Sequence, residues 1–100
     1  MRVTLEIGKQ FPEITGVASD AFAAELMKAE DSTFTEVILD FAGTETISSM
    51  AMGSIFATHQ KMSEQGRHLV ILNASEKIKR LLRMVNMAHL LEGIAPTDKK

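Results

Sequence analysis

The sequence predicts an α/β fold, in which one small domain packs helices against a mixed sheet of about four strands. Strand-like and helix-like patterns alternate along the chain, as is typical of parallel strand pairs joined by right-handed crossovers. Two unbroken apolar runs, within residues 36–41 and 68–72, predict buried central strands. The length of 100 residues predicts a single domain. We place that domain at residues 1–95 and expect a disordered tail at 96–100.

The composition is that of an ordinary globular protein, with 45% hydrophobic and 24% charged residues. A net charge of −2 gives no indication of nucleic-acid binding. The chain has no cysteine, which excludes disulfides and thiolate metal sites and favours a cytoplasmic location. It shows neither a signal peptide nor an apolar run of roughly 20 residues, so we expect no membrane insertion.

The first third of the chain predicts a strand, a loop and a helix. The segment "VTLEI" at 3–7 alternates apolar and polar residues, as a half-buried strand does. Gly8 and Pro12 then predict a loop or an irregular edge strand. A helical pattern begins near Ser19, which suits an N-cap. The apolar face of this helix is predicted to consist of Ala18, Phe22, Leu26 and Ala29.

The rest of the chain predicts two further strand–helix pairs. The strand at 36–41 leads to a helix that begins after Ile47 and ends at Gly66. Its apolar stripe is predicted to consist of Met52, Ile55, Phe56, His59 and Met62. The strand at 68–72 leads to a helix that Ser75 can cap, and a short helix or turn follows at "AHLLEG". The stripe of this last long helix is predicted to consist of Ile78, Leu81, Leu82 and Val85, with both leucines in the core.

The junction "ETISSMAMGSI" at residues 45–55 is the segment with the strongest functional signal. It lies outside the carboxyl end of the strand at 36–41, the edge where ligands and partners usually meet an open α/β sheet. Either Ser48 or Ser49 can be the helix N-cap. The functional interpretation is a phosphorylation switch, because the amides at a helix start can hold a phosphate. Met50 and Met52 suit an adaptable interface.

Nothing in the sequence favours an enzyme. A seryl nucleophile would need a base and an oxyanion hole, and "SSMAMG" is not a G-x-S-x-G nucleophile elbow. The three histidines, His59, His68 and His89, are scattered, and no pair has the spacing of metal ligands. We therefore predict a protein without enzymatic activity, cofactor or metal.

Residues 36–92 resemble the STAS domain of bacterial anti-sigma factor antagonists. The resemblance rests on "VILDFAG", on the turn and strand "QGRHLVILN" and on the end "LLRMVNMAHLLE". Within the functional segment it rests on Ile47, Ser49, Met52 and Gly53. Ser48 stands where the family has Asp, and Met50-Ala51 stands where it has Ser-Gly. The segment "GKQFPEITGVASDAF" fits the usual start of the domain only loosely.

The resemblance implies a partner switch. It implies that Ser49, with Ser48 as second choice, is phosphorylated by an anti-sigma factor that is also an ATP-dependent serine protein kinase. The unphosphorylated protein would bind this partner and free the sigma factor, and a serine phosphatase would reset the cycle. Ser48, Met50, Met52 and Gly53 would contact the partner. The alternative is a STAS subunit of an ABC-type membrane transport complex that is never phosphorylated.

Overall fold

The computed structural model describes residues 2–91, so the predicted domain boundary at 95 and the tail at 96–100 lie outside the described residues. Within them, the three predicted strands and three predicted long helices are present in the predicted order, with one short helix and two short strands in addition. The elements are β1 Arg2–Leu5, α1 Ile7–Gln10, β2 Glu13–Ile14, α2 Val17–Glu30, β3 Glu36–Asp40, β4 Thr46–Ile47, α3 Ser49–Glu64, β5 His68–Leu72 and α4 Glu76–Met84. A 3₁₀ turn, Ala88–Leu90, follows α4. No helix of this part of the chain is long and apolar enough to cross a membrane.

The strands form two separate sheets, each made of parallel strands, instead of one mixed sheet. A three-stranded sheet has the order β1-β3-β5, and β2 pairs with β4 in a separate two-stranded sheet. The prediction that β3 is central is confirmed, and its Val37, Ile38 and Leu39 are all buried. The prediction that β5 is also central is wrong, because within residues 2–91 it has only β3 as a full neighbour. Its other side makes one isolated bridge, from Ile71 to Leu91.

The core lies between the three-stranded sheet and the helices. Both crossovers, β1 to β3 and β3 to β5, step in the same direction across the sheet. Right-handed connections therefore place α2 and α3 on the same face, where the two helices pack against each other. The largest fully buried side chains include Phe22, Phe41, Leu39, Ile55, Ile78 and Leu82.

The N-terminal segment differs from the prediction. The first strand ends at Leu5 instead of residue 7, and Ile7 begins the one-turn helix α1 where a loop or edge strand was expected. Gly8 allows this helical turn to pack closely against the loop after β3, because a Cβ at this position would overlap the backbone carbonyl of Ala42. Only glycine lets the two backbones approach this closely. The helical turn thereby packs Ile7 fully into the core.

The start of α2 also differs from the prediction. The helix begins at Val17, and Gly16, with φ 55°, is its N-cap. Ser19 is therefore not the cap but a buried residue inside the first turns. The predicted apolar face is largely confirmed, because Phe22, Leu26 and Ala29 are buried while Ala18 is half-buried.

The buried stripe of α3 differs in two members from the predicted one, and the stripe of α4 is narrower than predicted. In α3, Ala51 and Thr58 are buried in place of Phe56 and His59, and Thr58 donates a hydrogen bond of 2.7 Å to the Glu30 carboxylate. Phe56 is 48% exposed. In α4, Ser75 is the N-cap as predicted, and its hydroxyl accepts a hydrogen bond from the Ile78 amide at 3.2 Å. Its buried residues are Ile78 and Leu82, whereas Leu81 is half-buried and Val85 is 49% exposed.

Arg67 closes the carboxyl end of α2, a role that the sequence did not indicate. Its guanidinium donates to the backbone carbonyls of Ala29, Glu30 and Phe34 at 2.8, 3.0 and 2.7 Å. It also donates to the Ser32 hydroxyl at 3.2 Å. The last carbonyls of a helix have no partner within the helix, so a guanidinium from the α3–β5 turn satisfies them.

Replacement of Arg67 by Ala is expected to lower the free energy of unfolding by about 2–3 kcal/mol, because hydrogen bonds from charged donors contribute about 1.5–3 kcal/mol. Arg67→Lys should recover only part of the loss, since an ammonium lacks the planar fork of donors. Urea unfolding measures both changes. Arg83→Ala, on the exposed side of α4, is the control and should change stability by less than about 0.5 kcal/mol. An equal effect of Arg67→Ala and Arg83→Ala would contradict the role of Arg67.

Candidate functional site

The start of α3 is positioned by the small sheet of β2 and β4. The sequence predicted a helix that begins after Ile47, which agrees with α3, but it did not predict the two-residue strand β4, which pairs Thr46 and Ile47 with β2. The backbone amide of Ser48 then donates to the carbonyl of Ile14 at 2.8 Å. Because β2 is itself followed by α2, this pairing brings the first turns of α2 and α3 together.

Ser48 is the N-cap of α3. Its backbone is extended, with φ −84° and ψ 167°, and its Oγ accepts a hydrogen bond from the Ala51 amide at 3.1 Å. The same Oγ lies 2.8 Å from the Oγ of Ser19, which in turn donates to the Ile14 carbonyl at 3.4 Å. The Ser48 hydroxyl is half-buried and engaged on two sides. The local expectation that one of the two serines caps the helix is confirmed for Ser48.

Ser49 occupies the first helical position and is exposed. In the part of the chain that the structure describes, its hydroxyl has no hydrogen-bond partner. The first turn of α3 also contains no acidic side chain. The positive end of the helix dipole and the free amides of the first turn are therefore not neutralised by a carboxylate of α3 itself. The hydroxyl of Ser48 is thus held by hydrogen bonds, whereas the side chain of Ser49 is exposed to solvent.

An apolar groove of about 310 Å³ lies beside Ser49. It runs between the first half of α3 and the segment that follows α4. Its lining residues are Ser49, Met52, Gly53, Phe56, Val85 and Met87. Phe56 and Val85 are about half exposed, whereas Met52 and Met87 are buried beneath them. The groove therefore offers apolar surface next to one free hydroxyl.

The structure brings three of the five predicted site residues, Ser49, Met52 and Gly53, to this groove. Ser48 faces Ser19 instead, and Met50 is 63% exposed but does not line the groove. A Cβ at Gly53 would meet open space. Gly53 is therefore open to an approach from solvent, as the predicted contact with a partner requires.

Sequence reasoning missed three lining residues, Phe56, Val85 and Met87. The first two were assigned to the buried stripes of their helices. Phe56 follows the fully buried Ile55, and Val85 is the last residue of its predicted stripe, three positions after the fully buried Leu82. Met87 follows α4 and carried no pattern, because its place in the groove depends on how the chain folds back onto α3.

The fold and the groove define a class of protein: a small α/β domain that exposes a helix start beside an apolar surface. The chain belongs to the STAS domain family, whose sequence model matches residues 11–99. This match includes residues 11–22 of the N-terminal segment that resembles the family only loosely.

The fold is similar to two solved structures. The first is the anti-sigma factor antagonist SpoIIAA in its unphosphorylated form, with a TM-score of 0.73 over 98% of this chain and 82% of that chain. The second is the Bacillus cell fate determinant SpoIIAA in the phosphorylated form, with a TM-score of 0.67 over 98% and 85%. Sequence identity is 14% in both cases, so the similarity concerns the fold. A search of curated proteins finds no match.

The unequal roles of the two serines are testable through stability. Ser48→Ala is expected to lower the free energy of unfolding by about 1–2 kcal/mol, because it removes an N-cap. Ser49→Ala, its matched control one residue away, should change stability by less than about 0.5 kcal/mol. Urea unfolding of both variants measures the difference. Equal losses would show that the cap is shared between the two hydroxyls.

Proposed function

We propose that this protein is an anti-sigma factor antagonist that works by partner switching in the bacterial cytoplasm. Unphosphorylated, it binds an anti-sigma factor that is also a serine protein kinase. Phosphorylation of Ser49 releases it, and a serine phosphatase restores the binding form. Membership of the STAS domain family supports this proposal, as does the similarity of the fold to SpoIIAA, whose two solved structures represent an unphosphorylated and a phosphorylated form.

The observation that carries the proposal is the difference between Ser48 and Ser49. A kinase must draw its acceptor hydroxyl into its own active site. The Ser48 hydroxyl is held by the Ala51 amide and by Ser19, whereas the Ser49 side chain is exposed. The register of the family resemblance, counted from Asp40 and from Gly53, selects the same residue.

A phosphate on Ser49 is compatible with the folded domain. It would carry nearly two negative charges at the positive end of α3, where the first turn has no carboxylate to repel it. The dipole contributes up to about 1 kcal/mol in favour of such a charge. Phosphorylation is therefore expected to preserve the fold and to act on the complex with the partner.

The groove explains how one phosphate can dissociate that complex. In the proposed complex, an apolar side chain of the partner enters between Phe56 and Val85 and removes Ser49 from water. A dianion at this position would be desolvated without a matching cation. An unpaired interfacial charge costs on the order of 2–5 kcal/mol. That energy corresponds to a loss of affinity of roughly 30-fold to several thousand-fold, which is sufficient for a switch.

The phosphorylation site is tested directly. Incubation with the cognate kinase and ATP, followed by digestion and mass spectrometry, is expected to locate one phosphate on Ser49. Ser48→Ala should still be phosphorylated, since the acceptor hydroxyl remains, and Ser49→Ala should remain unmodified and bound to the kinase. Phosphate on Ser48 alone would overturn the choice of residue. No phosphate on either serine would favour the transport-subunit alternative.

The groove is tested by Gly53→Ala. Alanine in an exposed helix interior is favoured over glycine by roughly 0.5–1 kcal/mol, so the variant should be more stable than the wild type. The added methyl group projects from the wall of the groove, so affinity for the unphosphorylated partner should fall about tenfold or more. Urea unfolding and calorimetric titration measure the two opposite changes.

A second pair of variants separates the groove from other exposed apolar surface. Phe56→Ala removes a groove residue, whereas Met27→Ala removes an exposed side chain of α2 that does not line the groove. The first should weaken binding and the second should leave it unchanged. Unaltered binding by Gly53→Ala and Phe56→Ala together would show that the partner docks elsewhere.

A further inference from the structure

Two histidines from distant parts of the chain meet on the surface. His59 lies in α3 and His89 in the 3₁₀ turn, and their Nε2 atoms are 3.3 Å apart. The ring centroids are 5.1 Å apart and the ring planes are inclined by 62°. Neither residue lines the groove beside Ser49. Their spacing in the sequence, 30 residues, gave no metal-ligand pattern.

This arrangement has the dimensions of a metal chelate. Zinc–nitrogen bonds are about 2.0–2.1 Å long, so two nitrogens of a tetrahedral ion lie about 3.3–3.4 Å apart. A ring centroid lies about 1.2 Å behind its nitrogen, so the centroids of two ligands to such an ion lie about 5.2 Å apart. Rings that approached head-on at the observed nitrogen distance would have centroids about 5.7 Å apart. The observed centroid distance fits the converging arrangement better.

We propose that His59 and His89 bind a divalent transition-metal ion, with Zn²⁺ as the reference ion, through their Nε2 atoms. Imidazole nitrogen is a preferred ligand of zinc, copper and nickel. Within the described residues no group of three or more His, Cys, Asp or Glu could hold a metal. The pair therefore supplies two ligands, and water or an external ligand completes the coordination.

The contact between the two rings already brings both Nε2 atoms to the separation that one ion requires. A neutral imidazole is the form that binds a metal. Without a metal, one ring must donate a hydrogen to the other. The ion would replace that single hydrogen bond by two coordinate bonds.

Metal binding would fasten the 3₁₀ turn to α3. His59 lies one helical turn beyond Phe56, and His89 lies two residues beyond Met87. Because Phe56 and Met87 both line the groove, the ion would hold its two sides together at one end. The site itself does not depend on the proposed partner switch, and its test needs no partner protein.

The test is a titration of the tag-free full chain with ZnCl₂ at neutral pH, in which isothermal calorimetry measures the stoichiometry and the affinity. We expect one ion per chain. His59→Gln and His89→Gln should each weaken binding about tenfold or more, because each removes one of two ligands. The matched control is His68→Gln, since His68 is the third histidine, exposed on β5. This variant should bind like the wild type.

Two further measurements keep the test independent of any folding defect in the variants. In the wild type, Zn²⁺ should shift the imidazole ¹⁵Nε2 resonances of His59 and His89 but not those of His68. It should also slow amide exchange at residues 87–91. Absence of binding up to about 1 mM Zn²⁺ would overturn the proposal, because two preorganised imidazoles should bind well below that concentration. Binding that survives the double variant, or an equal loss in His68→Gln, would overturn it too.

Discussion

The hydrogen bonds that join Ser19, Ser48 and Ile14 determine how Ser49 is presented. They tie the first turns of α2 and α3 to the backbone of β2, where the two helices leave the small sheet. The buried hydroxyl of Ser19 has a partner on each side, so its burial leaves no polar group unsatisfied. With Ser48 held in this way, the chain can enter the helix only with Ser49 at the next, exposed position.

The opposite end of the same helix pair is held just as firmly. Thr58 of α3 donates to Glu30 of α2, and the Arg67 guanidinium closes the last turn of α2. The two helices are therefore joined by polar contacts at both ends, with apolar packing between them. Because the start of α3 is already held in place, the proposed phosphate on Ser49 would leave the helix unchanged. It would instead change the affinity for a partner that binds this surface.

The serine at position 48 gives this chain an electrostatic character different from that of the family pattern with Asp. An aspartate can also accept the hydrogen bond from the N3 amide, but it brings a negative charge. Serine caps α3 without charge and leaves the positive end of the helix to an anion at Ser49. It also allows the close approach of Ser19, because one hydroxyl can donate a hydrogen bond to the other at an Oγ–Oγ distance of 2.8 Å. Ser48 thus caps the helix start and places no like charge beside the proposed phosphate.

The sequence by itself determined the parts of the fold that depend on short-range patterns. Apolar runs located β3 and β5, hydroxyl caps located the starts of α3 and α4, and the alternation of elements predicted the parallel pairing. These signals lie within windows of a few residues, since periodicity and capping are local properties of the backbone. The same local argument predicted that one of the two adjacent serines caps α3, and the structure shows that the cap is Ser48.

Only the tertiary structure decided which distant residues meet. The separate β2–β4 sheet, the groove wall at Val85 and Met87, and the contact between His59 and His89 all join segments about 30 residues apart. The role of Arg67 has the same origin, because its carbonyl partners lie at the far end of another helix. Such contacts leave no periodic trace in the sequence, since any exposed polar or apolar side chain would fit the local pattern equally well. Packing of α2 and α3 on one face of the sheet selects among them.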